Sequence, residues 1–242
     1  MTASNRTSGD DAAGSRDVLQ SAQTVSACGA AALRYAALGW EVFPAPAGQK
    51  KSHKSEEHSG AKWGKTTNPE EIRRDFRKWP NANVAIVTGA TSGIFVVEAD
   101  TVEGHGVDGL ASIKALEAEN GPFPETRMAV SPSGSIHRYY GHPGADIYIK
   151  NSTSEIAPGV DVRGDGGMVI APPSIRPGVG KYCWLNDLPI ADAPAWSRPR
   201  PRRRRRSLRL ARPELNRRRR RTASSPAITS NRMPISTRLK RH

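Results

Sequence analysis

Apolar and polar positions along the chain change their period several times, and each change predicts an element. "CGAAALRYAALGW", residues 28–40, is alanine-rich with Leu33 and Leu38 on one side, which predicts a helix closed by Gly39 as a left-handed cap. "WEVFPAP" follows as a short strand, and "GQKKSHKSEEHSGAKWGKTT" as a polar loop. "NPEEIRRDFRKWP" carries both ends of a helix: Asn68 caps it, Pro69 takes its first position, Glu70 and Glu71 complement its positive end, and Pro80 stops it. "NVAIVTG" and "IFVVEAD" are apolar runs joined by a Gly/Ser turn and read as strands. "VDGLASIKALEAEN" has a period of 3.6, with Leu110, Ile113 and Leu116 inward and Gly121 as its stop. "RMAVSPSGSIHRYY" predicts a hairpin about Pro132–Gly134, and "GVDVRGDGGMVIAPPS" a second one turning at Asp165-Gly166. "KYCWLND" is a final strand. The expected fold class is α+β, a mixed or antiparallel sheet with flanking helices, over residues 28–196.

Composition changes this picture at both ends. The hydrophobic share, 36%, is low for a fully globular chain. Residues 1–27 are small and polar and are expected to be disordered, and they lack the apolar stretch of a secretory signal. From Ser197 the chain turns to "RPRPRRRRRSLRLARPELNRRRRR", so 197–242 is expected to be a disordered arginine-rich tail, either functional in frame or a frameshifted or remnant end. The net charge of +14 is therefore unevenly spread. Residues 198–242 hold 18 Lys and Arg against one acid, and the remainder holds 19 against 22. A functional tail would dominate non-specific DNA affinity through counterion release. Nothing approaches ~20 consecutive apolar residues, so no membrane partner is expected. Cys28 and Cys183 have no metal or redox spacing and read as plain thiols of a cytoplasmic protein.

The candidate chemistry begins at "GIFVVEAD". Glu98 and Asp100 stand two apart and leave one face of a strand end. Carboxylates held that close repel unless a cation sits between them. Mg²⁺ or Mn²⁺ suits such oxygen donors and phosphoryl chemistry, while the plainer alternative is two acids facing solvent. Asp161 is a third acid in an apolar strand. Ser135 and His137, also two apart, make a hydroxyl–imidazole pair suited to phosphate. Arg163 shares a strand face with Asp161, where it holds a triphosphate or pairs with Asp165. Lys50, Lys51, Lys54 and Lys65 suit a template phosphate backbone. Trp63 suits base stacking or core anchoring. His53, His58 and His105 read as loop residues.

In their order and spacing these segments resemble the bifunctional DNA primase/polymerase (Prim-Pol) domain of the archaeo-eukaryotic primase superfamily, over about residues 30–185. The superfamily's three motifs match Glu98-Ala99-Asp100, Ser135-Ile136-His137 and Val160-Asp161. The resemblance implies an RRM-like catalytic core and template-directed nucleotidyl transfer. It also implies two Mg²⁺ or Mn²⁺ ions held by Glu98, Asp100 and Asp161, with Ser135 and His137 at the phosphates of the incoming nucleoside triphosphate. The implied partners are a DNA template and primer, with any helicase supplied by a separate protein, in the replication of a plasmid, phage or integrated element. Glu98 departs from the aspartate usual at its position. Two rivals remain: a non-catalytic nucleic-acid-binding remnant, and an oxygenase-like set of His105, Asp100 and His137.

Overall fold

A seven-stranded and a three-stranded β-sheet both contribute residues to one cleft, with a two-stranded hairpin beside them. The computed structural model describes residues 25–54 and 62–193. The chain runs α1 (Ala27–Ala37), β1 (Val42–Ala45), a 3-10 turn (Lys62–Gly64), α2 (Pro69–Lys78), β2 (Asn83–Val87) and β3 (Ile94–Ala99). It continues through α3 (Val102–His105), α4 (Gly109–Asn120), β4 (Met128–Val130), β5 (Ile136–Gly141), β6 (Ser152–Ala157) and β7 (Val160–Arg163). The last elements are β8 (Met168–Ile170), β9 (Ile175–Arg176), β10 (Gly180–Lys181), β11 (Cys183–Trp184) and β12 (Ala191–Asp192). The α+β expectation holds at this level, with antiparallel sheets and few helices.

The large sheet has the order β11-β4-β5-β3-β7-β6, and β12 runs parallel to β5 at its edge. Its β3 alternates between two cores. Ile94 and Val96 pack with Tyr139, Ala129, α1 and α2, whereas Phe95, Val97 and Ala99 pack with Tyr140, Val160, Val162 and Ile113 of α4. The small sheet is β1-β2-β8.

Helix ends follow the local chemistry. Asn68 accepts from the backbone N–H groups of Glu70 and Glu71 at the start of α2. Past α1, Gly39 takes φ +82°, the left-handed turn that glycine allows without strain. The face α1 buries differs from expectation: Gly29, Ala31, Ala32 and Tyr35 are inside, Leu33 is half-buried and Leu38 is 58% exposed. Small residues let α1 lie close on α2, where a Cβ on Gly29 would come within 3.0 Å of Phe76; leucines there would hold the helices apart.

Two further expectations are corrected. The turn at Asp165-Gly166 exists, but its flanking strands do not pair with each other. β7 pairs with β3 in the large sheet, and β8 pairs with β2 in the small one. Asp165 accounts for the difference. Its carboxylate accepts from the N–H groups of Ile149 and Ala90, and from the ring N–H of His142 at 3.2 Å. Gly144 N–H donates to the other ring nitrogen of His142, so the proton of a neutral imidazole sits on the nitrogen facing Asp165. The turn thus carries the chain from one sheet to the other. "KYCWLND" likewise splits into β10 and β11, one on a small outer hairpin with β9 and one on the large-sheet edge.

Burial pushes the Asp165 carboxyl up, but the donors from Ile149, Ala90 and His142 outweigh it and hold the group below its ordinary 3.8. A depressed carboxylate stabilises the fold above the unfolded-state value, and that stability is lost as pH falls through the lower folded value. Asp165→Asn turns one acceptor into a donor facing donors. It should cost about 1–3 kcal/mol at neutral pH in urea unfolding, and its deficit against the parent should shrink as pH drops below 3.8.

Among the described residues no helix is long and apolar enough to cross a membrane. Cys28 and Cys183 are free thiols, and burial pushes Cys28 up. The expectations for 1–24, for His58 and for the arginine-rich tail lie outside the described residues.

Candidate active site

Antiparallel register builds the site before any side chain is placed. On β3, Glu98 stands opposite His137 of β5 on one side and opposite Asp161 of β7 on the other. Directly opposed residues share a sheet face, so an imidazole and two carboxylates form one row across three central strands. Arg163 lies two residues beyond Asp161, on the same face. All three members of the row are buried, at 5% exposure each.

The cation between the acids is Arg163. Its Nε and Nη2 donate to Glu98 Oε2 at 2.8 and 2.6 Å, and the same Nη2 donates to Asp161 Oδ2 at 2.9 Å. The other Asp161 oxygen accepts from Ser154 N–H at 3.0 Å. His137 Nε2 lies 3.6 Å from Glu98 Oε1, beyond hydrogen-bond length, and its buried Nδ1 has no hydrogen-bond partner among the described residues. Burial pushes Glu98 up, but the charges of His137 and Arg163 hold it below the usual carboxylate range. Burial pulls His137 below its ordinary value in spite of the facing Glu98. Arg163 is the guanidinium charge that bonds to both acids of the row. Asp161 is raised by burial, which Arg163 offsets only in part.

Asp100 follows the end of β3 and belongs to a different network. Its backbone N–H donates to Gly159 and its carbonyl accepts from Gly109 N–H, at 2.8 and 2.9 Å. A Cβ on Gly109 would lie 2.1 Å from Gly159 O and 2.6 Å from Asp100 N, so only glycine lets α4 start against this strand end. The Asp100 side chain accepts from Ser135 Oγ at 3.1 Å, and His105 Nε2 lies 3.5 Å from it. Ser135 is placed by a tight turn in which its own N–H donates to Ser131 Oγ. Glu98, Asp100, Ser135 and His137 all line one cleft of about 310 Å³, which Lys50 and Arg176 border from the side of the small sheet.

The remaining sequence candidates lie elsewhere. Lys51 is exposed on the loop that carries Lys50. Lys65 is bonded to Glu41 and Thr91. Trp63 stacks on Phe43 at 5.3 Å and donates its ring N–H to Gly166 O, so it packs against the small-sheet core. Lys54, grouped with the template lysines on its sequence, is instead 2% exposed and bonded to Glu71 and Asp75 at 2.8 Å each. His53 stacks on Trp79 at 5.1 Å. His105, read as a loop residue, ends α3 and borders the cleft. Sequence reasoning missed Tyr182, whose ring centroid is 6.1 Å from that of His137, and Arg176 on β9. Tyr182 falls in the stretch read as a final strand and Arg176 in a polar turn, and neither carries a motif that points to the cleft.

The donor set is all oxygen and suits a hard divalent ion in its chemistry. As the side chains stand, however, no three His, Cys, Asp or Glu among the described residues are arranged to hold one. The oxygenase-like set is not assembled either, since His137 faces Glu98 while His105 flanks Asp100. Compared with known families, residues 32–196 match the one described as bifunctional DNA primase/polymerase, N-terminal. No curated protein matched the chain.

Proposed function

Because the chain belongs to the bifunctional DNA primase/polymerase (Prim-Pol) family, we propose that its cleft carries out template-directed nucleotidyl transfer with two divalent ions. The observation that carries this reading is convergence. Glu98, Asp100, Ser135 and His137 come from separate segments of the chain and line one cleft, with Asp161 beside Glu98. The cleft volume lies near the lower end of small-molecule sites.

Glu98, Asp100 and Asp161 would hold the ions, which when bound lower the pKa of an attacking 3′-hydroxyl and neutralise the leaving pyrophosphate. The rest falls to the chain's own groups. Ser135 and the unpartnered ring of His137 donate to phosphate oxygens, and Lys50 and Arg176 supply positive charge at the cleft rim. The antiparallel β4-β5-β3-β7 portion of the large sheet serves as the RRM-like catalytic core. Template and primer strands lie across the open side, along the loop of Lys50 and Lys51.

The deciding assay is extension of a labelled primer on a template with Mn²⁺, run with and without the primer. No incorporation under any ion condition by folded protein would leave the non-catalytic remnant as the reading. His137→Ala tests the nucleotide contact separately. It should weaken apparent nucleotide affinity by about 1.5–3 kcal/mol and leave template affinity unchanged, as measured by nucleotide titration at fixed template.

A further inference from the structure

We propose that Arg163 keeps divalent ions out of the Glu98–Asp161 pair until a nucleoside triphosphate arrives, so that ion loading depends on nucleotide. The inference rests on the ion-dependent reading above and adds an order of events to it.

The geometry points to competition for the same oxygens. One guanidinium spans both acids, with two donors on Glu98 Oε2 and one on Asp161 Oδ2. The guanidinium already occupies one oxygen of each acid, and a second positive charge at this pair would meet it at close range. Removing a guanidinium from buried carboxylates is costly unless an anion receives it. A triphosphate brings several negative charges and a fork-matched acceptor. The cleft that holds Glu98 is bordered by Lys50, Ser135 and His137, which suit those same phosphates. Entry of the nucleotide thus gives Arg163 a new partner and frees two carboxylates for the ions, which the phosphates also help to ligate.

A second observation separates this role from plain structural pairing. Asp100, the third acid, is not hydrogen-bonded to Arg163, although Arg163 feels its charge; its carboxylate accepts from Ser135 and lies 3.5 Å from His105. An ion meeting the site without nucleotide therefore finds one carboxylate outside the guanidinium's hydrogen bonds rather than three, which predicts weak binding in the absence of substrate.

The test measures Mn²⁺ binding to the full chain without nucleotide, by electron paramagnetic resonance of the free ion and by the Mn²⁺-induced shift in melting temperature. The variants are Arg163→Gln, which removes the charge and keeps a hydrogen-bonding group, and Arg163→Lys, which keeps the charge but cannot span both acids. The parent should bind Mn²⁺ weakly. Arg163→Gln should bind it at least tenfold more tightly, with a melting temperature that Mn²⁺ raises more than it does for the parent, and Arg163→Lys should fall between. Unchanged or weaker Mn²⁺ affinity in a folded Arg163→Gln, with tight binding by the parent, would overturn the gate and leave the ion-dependent reading standing. No specific Mn²⁺ binding by parent or variants, with or without a non-hydrolysable nucleotide, would overturn both. If Arg163→Gln does not fold, parent and Arg163→Lys decide: equal affinities overturn the gate.

Discussion

Asp100→Ala should stop nucleotide incorporation and leave the fold in place. The side chain is exposed to the cleft at 16% and is not hydrogen-bonded to Arg163, so its loss leaves the bonds of Arg163 to Glu98 and Asp161 in place. What fixes the chain at this point is backbone: the N–H to Gly159 and the carbonyl to Gly109 N–H survive the substitution. The catalytic loss should be about 10²–10³-fold or more, the lower figures being the scale seen when a preorganised group facing developing charge is removed. Asp161→Ala should be as inactive but less stable, because Arg163 then faces Glu98 alone. Primer extension with Mn²⁺, paired with thermal unfolding by circular dichroism, measures both. Near-parental incorporation by folded Asp100→Ala would end the assignment of this acid to ion binding.

Lys54→Ala should destabilise the protein by about 3–5 kcal/mol without weakening DNA binding by the protein that remains folded. Removing one partner of a buried pair leaves the other charge uncompensated, and this costs more than the pair's net worth. Lys54 lies between Glu71 and Asp75 of α2, and the Asp75 side chain is only 6% exposed. Arg74 lies 3.6 Å from Glu71 and 3.8 Å from Asp75, but Glu71 is better hydrated at 29%, so the cost falls mainly on Asp75. Replacing the pair by apolar groups, as in Lys54→Met/Asp75→Leu, should recover much of the loss. Urea unfolding gives the stabilities, and fluorescence anisotropy with a labelled oligonucleotide gives the binding. A loss of DNA affinity in folded Lys54→Ala would restore the lysine to the template surface.

These two residues mark how far the chain's order of letters reaches. Asp100 was legible because a strand's two-residue period and a motif coincide at "EAD". The caps at Asn68 and Gly39 were legible because they satisfy or relieve backbone within a few residues. Lys54 was not legible, since a lysine in a polar loop carries no sign of the two acids that α2 presents to it. The same limit explains β7 and β8. A two-residue turn between apolar runs is a hairpin by local rules, and only the distant donors Ile149, Ala90 and His142 convert it into a crossover. Arg163 was placed on the right face, but its partner follows from β3–β7 register, which no local pattern encodes.

The crossover at Asp165 also sets a timetable for synthesis. β2 waits for β8, since Ala85 pairs with Ile170 and Ile86 with Val169, and β3 waits for β5 and β7. A nascent chain that has emerged only through α4 can pair β2 with β1 but leaves the other edge of β2 and both edges of apolar β3 open. Such edges invite pairing with other chains, and closure across so long a stretch is slow compared with local helix formation. The protein therefore cannot assemble its small sheet as an early, independent unit. The small sheet is complete only once β8 has emerged, and the row of Glu98, His137 and Asp161 can come into register only once β7 has left the ribosome.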